Sequence, residues 1–316
     1  MKQSIFSLAD WITVFGAFLF GIFCFLSLNF YSLGDTSESI LKAAGIGALL
    51  FGLAYGAKLL KRTDRNFKPC FIVEIILLMS LLGVMAYFTY WPFSHCFVVW
   101  ERKEEIKSKI SGNIEQAEKM FDNYEKYAKN RESLYKNKLN TAVRNMNTNP
   151  GNLTKYGLVR NSVPLNAQIE TKTKYLHNDL FPNEYKNTED SAKKWLKDAK
   201  NHSESWFFTN IVGDVNNLQK MSEGWLEYLT KLSHKREYGE EATDFSYSFS
   251  FVDVKNKFTV KGDVPLLAIV VDIVILCLLL CSWITTDRSS KSSICKPQKK
   301  SKNQGKYTID YNSKSK

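Results

Sequence analysis

The sequence predicts a mainly helical membrane protein with four transmembrane helices, three before and one after a large extracytoplasmic helical and coiled-coil domain that ends in a short β-hairpin. Three observations predict it. Four apolar runs, Trp11 to Leu28, Ala43 to Leu60, Phe71 to Tyr90 and Pro265 to Ile284, are each long enough, at roughly 20 residues, to cross a bilayer core as a helix. A highly polar stretch separates the third run from the fourth. Within that stretch apolar residues recur at helical spacing, changing to a spacing of two only near its end. The chain thus divides into a three-helix membrane region (1–92), a polar domain (93–263), a fourth membrane helix (264–285) and a basic tail expected to be disordered (286–316).

The first run has only Lys2 before it, is rich in aromatics, and is followed by no small-x-small cleavage pattern. Phe23 before Cys24 does not suit lipoprotein processing, so the run reads as an uncleaved signal anchor. Basic residues set the orientation. The loop after the second run carries Lys58, Lys61, Arg62, Arg65 and Lys68 against Asp64 alone, and the tail carries nine bases from Arg288 to Lys316 against Asp287 and Asp310. The positive-inside rule makes both segments, and both termini, cytoplasmic. These two segments account for the net charge of +11, which therefore points to orientation and to anionic inner-leaflet lipid rather than to nucleic acid.

The second helix carries small residues at every fourth position, Ala44, Ala48, Gly52 and Gly56, a face on which another helix can approach closely, either within the chain or from a second copy. Near the cytoplasmic end of the third helix lies Glu74, at a depth matching Lys58, and the pair is expected to form an ion pair across the hairpin. Asp272 lies deeper, with Ser80 the neighbour of comparable depth. An intramembrane carboxyl is a functional candidate by default, either as an inter-helix hydrogen-bond anchor or as a proton or ion site.

In the polar domain, Ile110, Ile114, Ala117, Phe121, Tyr124 and Ala128 alternate by four and three, the pattern of a coiled-coil seam, within a helix expected from about Glu101 to Asn147. This reads as a stalk and an interaction face, ended by Asn147-Thr-Asn-Pro-Gly151. Helices return through Leu165 to Leu180, Glu189 to Lys200 and Trp206 to Lys235, giving a bundle. Phe245, Tyr247, Phe249 and Phe251 then alternate with polar residues, and with Phe258-Thr-Val260 they predict a hairpin whose aromatic face must be buried or paired.

Cys96 is the one cysteine expected outside the membrane and cytoplasm, so no intramolecular disulfide can form there. That usage, with the Lys- and Asn-rich composition, suits a bacterial envelope protein. Two sequons, Asn152-Leu-Thr and Asn201-His-Ser, would be glycosylation sites only in a eukaryotic source. The four histidines are scattered, and no metal-binding, phosphate-loop or nucleophile-elbow motif occurs, so neither an enzyme nor a cofactor is expected.

Three clustered membrane helices, a helical domain from Phe93 to Asp263, a fourth helix and a basic tail resemble the TssN family, an inner-membrane component of the type VI secretion membrane complex of Bacteroidota. The resemblance lies in the topology of the whole chain. It implies a non-catalytic scaffold in the inner membrane that assembles with periplasmic subunits and docks a cytoplasmic baseplate. Two functions remain open from the residues: an assembly component, as homo-oligomer or hetero-complex with other envelope proteins, or a sensor or transporter subunit whose outer domain binds a ligand. The tail is too short to be an output domain, and broken or polar membrane helices are few, which favours assembly.

Overall fold

The computed structural model describes residues 7–63, 67–160, 163–206 and 208–288 of the 316-residue chain. Nearly all of the basic tail, and Asp64 and Arg65 of the basic loop, lie outside the described residues. The protein is mainly helical. In chain order come α1 (Leu8–Tyr31), α2 (Thr36–Lys61), α3 (Phe67–Phe88), a π-helical turn (Thr89–Phe93), α4 (Ser94–Glu101) and α5 (Lys103–Arg144). There follow α6 (Gly151–Lys155), α7 (Leu165–Leu180), α8 (Asn183–Ser205), α9 (Phe208–His234), α10 (Lys255–Thr259) and α11 (Leu266–Ile284).

Four of these are long and apolar enough to cross a membrane: α1, α2, the stretch from Lys68 to Glu101, and α11. Local chemistry sets their limits. The Ser7 backbone N–H and hydroxyl both donate to Asp10 at the start of α1 (2.6 and 2.9 Å). Asp35 caps α2 by accepting from the Glu38 N–H (3.1 Å), leaving one fewer orphan donor in its first turn. Pro164, Pro182 and Pro265 stand immediately before α7, α8 and α11, where a missing N–H breaks no helical hydrogen bond. The third apolar stretch does not run on unbroken: Trp91 is extended (φ −162°, ψ 130°) and Pro92 lacks an N–H, so the helix changes course there before resuming as α4.

Helix α1 is the hub of the apolar bundle, packed on α2 and α11, while α2 also packs on α3. The closest approaches are at Gly16, where an added Cβ would lie 2.9 Å from the Leu278 Cβ, and at Gly47, 3.2 Å from the Ala17 carbonyl oxygen. Missing side chains let the backbones meet there. The hydrophobic core then continues without a gap into the polar domain, from Phe20 through Phe93 and Phe97 to Ile106 and Ile110.

In the polar domain α5 is the spine, and α7, α8 and α9 pack along it. The four-three face expected as the seam of a stalk is the inner wall of this bundle. Ile110, Ile114, Ala117, Phe121, Tyr124 and Ala128 are all buried within the chain, because the returning helices cover them. The same periodicity that marks a coiled-coil seam marks any helix with one buried face, and here it is filled intramolecularly.

The expected hairpin is not formed, and no strand occurs among the described residues. Residues 245–253 run beside α5 as neither helix nor strand, and residues 255–259 turn as α10, dropping Phe258 into the core against Phe30 (ring centroids 5.6 Å). Side chains of α5 take the place of a second strand. Asn113 donates to the Val252 carbonyl and accepts its N–H (2.9 and 3.0 Å), and Gln116 does the same for Ser250 (3.1 and 2.8 Å). The alternation is real: Phe245 is buried, and Tyr247, Phe249 and Phe251 pack against the core, facing inward while the serines face out.

Candidate functional site: membrane polar groups and interaction surfaces

The membrane charges pair differently from the sequence expectation. Lys58 does not meet Glu74; its ammonium donates to both oxygens of Asp10 (2.6 Å each), and both side chains are buried. Asp10 sits one residue before the first apolar run and so reads as flank in the sequence, but the first turn of α1 faces the last turns of α2. Glu74 instead accepts from the Trp283 indole N–H (2.9 Å) and from Arg288 (2.7 Å). Lys61 donates to the Trp283 carbonyl (2.7 Å) and stacks over its ring (4.5 Å). All four apolar helices are thereby tied at one end by buried or half-buried charges.

Asp272 is the seventh of the 19 residues of α11, three residues from its centre on the side that carries the polar domain. It reaches Thr89, not Ser80: the Thr89 hydroxyl donates to its carboxyl (2.9 Å) beside the break in the third apolar stretch. Among the described residues no basic side chain pairs with Asp272. A short way along, the Ser27 hydroxyl and His95 Nδ1 are 3.1 Å apart, both buried. Sequence reasoning passed over Thr89, Ser27 and His95; the signal it had was Pro92, since a proline next to polar residues in an apolar helix marks a place where side chains and backbone must find new partners.

Three of the four residues of the small-residue face of α2 are exposed, and Gly56 is half-buried. Inward packing uses Ala43, Ile46, Leu50, Ala54 and Ala57, while Ala44, Ala48 and Gly52 are exposed. A side chain at Gly52 would meet nothing within 4 Å, and one at Gly56 only the tip of Leu77 at 3.2 Å. Ala44 and Ala48 also line an apolar groove of about 540 Å³ between α1 and α2, walled by Phe18, Phe25 and Phe51.

In the polar domain the extended segment is clasped near its start. Arg131, buried on α5, binds the Glu240 carboxylate through both Nε and Nη2 (2.5 and 2.8 Å) and donates to the Ser233 (2.7 Å) and Lys235 carbonyls. Burial opposes the guanidinium charge, but the Glu240 carboxylate outweighs it and holds Arg131 more firmly protonated than in water. Gly239 makes this turn possible. Its φ of +78°, and a Lys155 carbonyl oxygen lying where a Cβ would have to fit, exclude any side chain. Tyr124, expected on an interaction face, is instead an internal anchor: its hydroxyl donates to the Leu180 carbonyl (2.9 Å), and burial pushes its phenol pKa up.

Among the described residues no group of three or more His, Cys, Asp or Glu side chains is placed to hold a metal ion. Comparison of the chain with protein-family models, with curated proteins and with solved structures gives no match. The fold and its surfaces therefore carry the functional reading alone.

Proposed function

We propose that this chain is a non-enzymatic assembly component of a multiprotein envelope complex, seated in a bacterial inner membrane with both termini cytoplasmic and the bundle of residues 93–263 in the periplasm. It acts without a cofactor or nucleic acid, and a type VI secretion membrane complex of the TssN kind is the assembly its topology resembles. The single observation that carries this reading is the outward small-residue face of α2. Small residues turned to lipid give up side-chain packing with nothing in return unless a helix comes close, so Ala44, Ala48 and Gly52 suit lateral contact with a second copy or another membrane subunit. The continuous core and the ionic ties of the four helices support it, since a subunit that bears load between compartments needs its membrane and aqueous parts joined.

The test is cross-linking in native membranes. Ala48→Cys with a short bis-maleimide should give an adduct absent from the parent protein and from Ala54→Cys, on the inward face, and Gly52→Leu should abolish it while leaving the monomer folded. No adduct at Ala48→Cys would overturn the lateral contact. A second reading, a proton- or ion-coupled subunit, is favoured by one feature, the Asp272 carboxyl, which among the described residues is held by Thr89 alone, beside a helix break. Asp272→Asn in a stably inserted protein separates the two, since the amide keeps the hydrogen bond and cannot cycle a proton.

A further inference from the structure

The charge of the polar domain is unevenly placed. Between Glu132 and Glu170 the chain carries Lys136, Lys138, Arg144, Lys155 and Arg160 and no acid. This stretch forms the end of α5, α6 and the approach to α7, the tip of the domain farthest from the apolar helices. The three acids of the turn from Glu237 to Glu241 compensate it only in part: Glu240 is committed to Arg131, Glu241 to Lys155 (3.0 Å) and, more distantly, Lys138 (3.9 Å), and Glu237 lies near Tyr135.

At this tip lies a cleft of about 570 Å³ with an apolar floor and a cationic rim. Pro150, Leu153, Leu158 and Val159 line it together with Arg160 and Tyr238. Val159 and Tyr238 are more than half exposed. Gln168 pins the rim by accepting the Val159 N–H (3.0 Å) and donating to its carbonyl (2.9 Å). Two cations stand at its edge. Arg160 donates to the Asn147 amide oxygen (2.8 Å), and the Lys172 ammonium sits 6.0 Å from the centre of the Tyr238 ring; neither has a carboxylate partner among the described residues.

We propose that this tip is a docking surface for an acidic segment of a protein partner, one that places an apolar side chain in the cleft and carboxylates on Arg160 and Lys172. The proposal rests on the assembly reading for the existence of a partner, and on the proposed topology for its location in the periplasm. Charge complementarity chooses the occupant: two cations with no anion of their own flank exposed apolar surface, so an acidic segment with an apolar anchor gains both terms at once. The chain's own bilayer is out of reach, because α5, with 42 residues, carries the tip roughly 60 Å from the membrane end of the domain.

The test uses the full chain in nanodiscs of phosphatidylcholine and, as probe, a labelled short peptide alternating Glu with Leu and Phe, read by fluorescence anisotropy. Wild-type protein should bind it, and a version with Gln for Glu should bind at least about tenfold more weakly, as should the Glu peptide to Arg160→Glu/Lys172→Glu. The doubly reversed protein should in turn prefer a Lys-for-Glu peptide, which only a folded variant can do, and Val159→Ser should weaken binding without reversing the charge preference. Absence of binding to the wild type, or binding indifferent to the reversal, overturns the proposal. So does binding of phosphatidylglycerol vesicles, in place of the peptide, with the same dependence on Arg160 and Lys172. Because the lateral contact is read separately at Ala48, failure here with that cross-link intact removes the tip surface and leaves the assembly reading standing.

Discussion

At the end of the apolar bundle near Leu8 and Ile284 the four helices are joined by ions, Asp10 to Lys58 and Glu74 to Arg288; from their middle toward the other end they are joined by rings and by a hydroxyl-to-carboxyl hydrogen bond. There Phe20 stacks on Phe93 (4.6 Å), Phe30 on Phe258, and Thr89 meets Asp272. The two ends should fail differently. A buried ion pair adds little net stability when intact, but removing one partner leaves a charge that nothing else can satisfy. Aromatic packing weakens in proportion to the ring surface removed and the cavity left behind.

Breaking the ionic end should have the largest effect. Lys58→Met should cost about 3 to 5 kcal/mol, followed as loss of helicity on titrating the detergent-solubilised protein with dodecyl sulfate, and Asp10→Leu combined with Lys58→Met should recover most of it. A single variant as stable as the wild type would show that the pair is solvated in the membrane protein. At the other end, Phe258→Ala removes a fully buried ring from the joint between α10 and α1 and should cost roughly 3 kcal/mol, with no partner substitution able to restore it.

The smallest effect sharpens the comparison by moving to a charge in water. Glu105 accepts from Lys109 (2.8 Å) on its own helix and from Lys257 (2.9 Å) on α10, and these two lysines lower its pKa from the usual 4.5 to about 2. A depressed folded-state pKa stabilises above 4.5 and loses that contribution as the pH falls toward 2. The melting temperature of Glu105→Gln should therefore lie slightly below that of wild type at neutral pH, and the gap should close on acidification. A gap that persists at pH 2 would assign the effect to packing.

The same contrast shows what the sequence made legible. Hydropathy and period found every long helix, because burial of one face is a one-dimensional signal, but α2 begins seven residues before the expected Ala43 and α8 extends five or six residues beyond Glu189 to Lys200 at each end. Partner choice is not one-dimensional. Lys58 could be seen to need a carboxylate, but Glu74 and Asp10 were both within reach in principle, and only the packing of α1 beside α2 decides between them. Arg288 read as one more orienting base, whereas it turns back to Glu74. At Phe245 to Phe251 the alternation marked an inward aromatic face but not the absence of a hairpin, and nothing in that segment says that Asn113 and Gln116, more than a hundred residues earlier, supply the amide groups a second strand would. The small residues of α2 marked a close-packing face, but not whether it turns inward; the close backbone approaches fall at Gly16 and Gly47, outside that stripe, and within it Gly56 alone meets another helix, at the tip of Leu77.

The hydrogen bonds that cross the joint between the third apolar stretch and the bundle have a mechanical consequence. The Val98 carbonyl accepts the Arg102 N–H, and the Arg102 carbonyl accepts the Ile106 N–H, so α4 passes into α5 with its hydrogen bonds handed on. The spine is then a moment arm: over its roughly 63 Å length a tilt of about 5° at the membrane sweeps the far end through roughly 5 Å. Displacements too small to disturb the helix packing at the base would arrive at the tip as steps the size of a side chain.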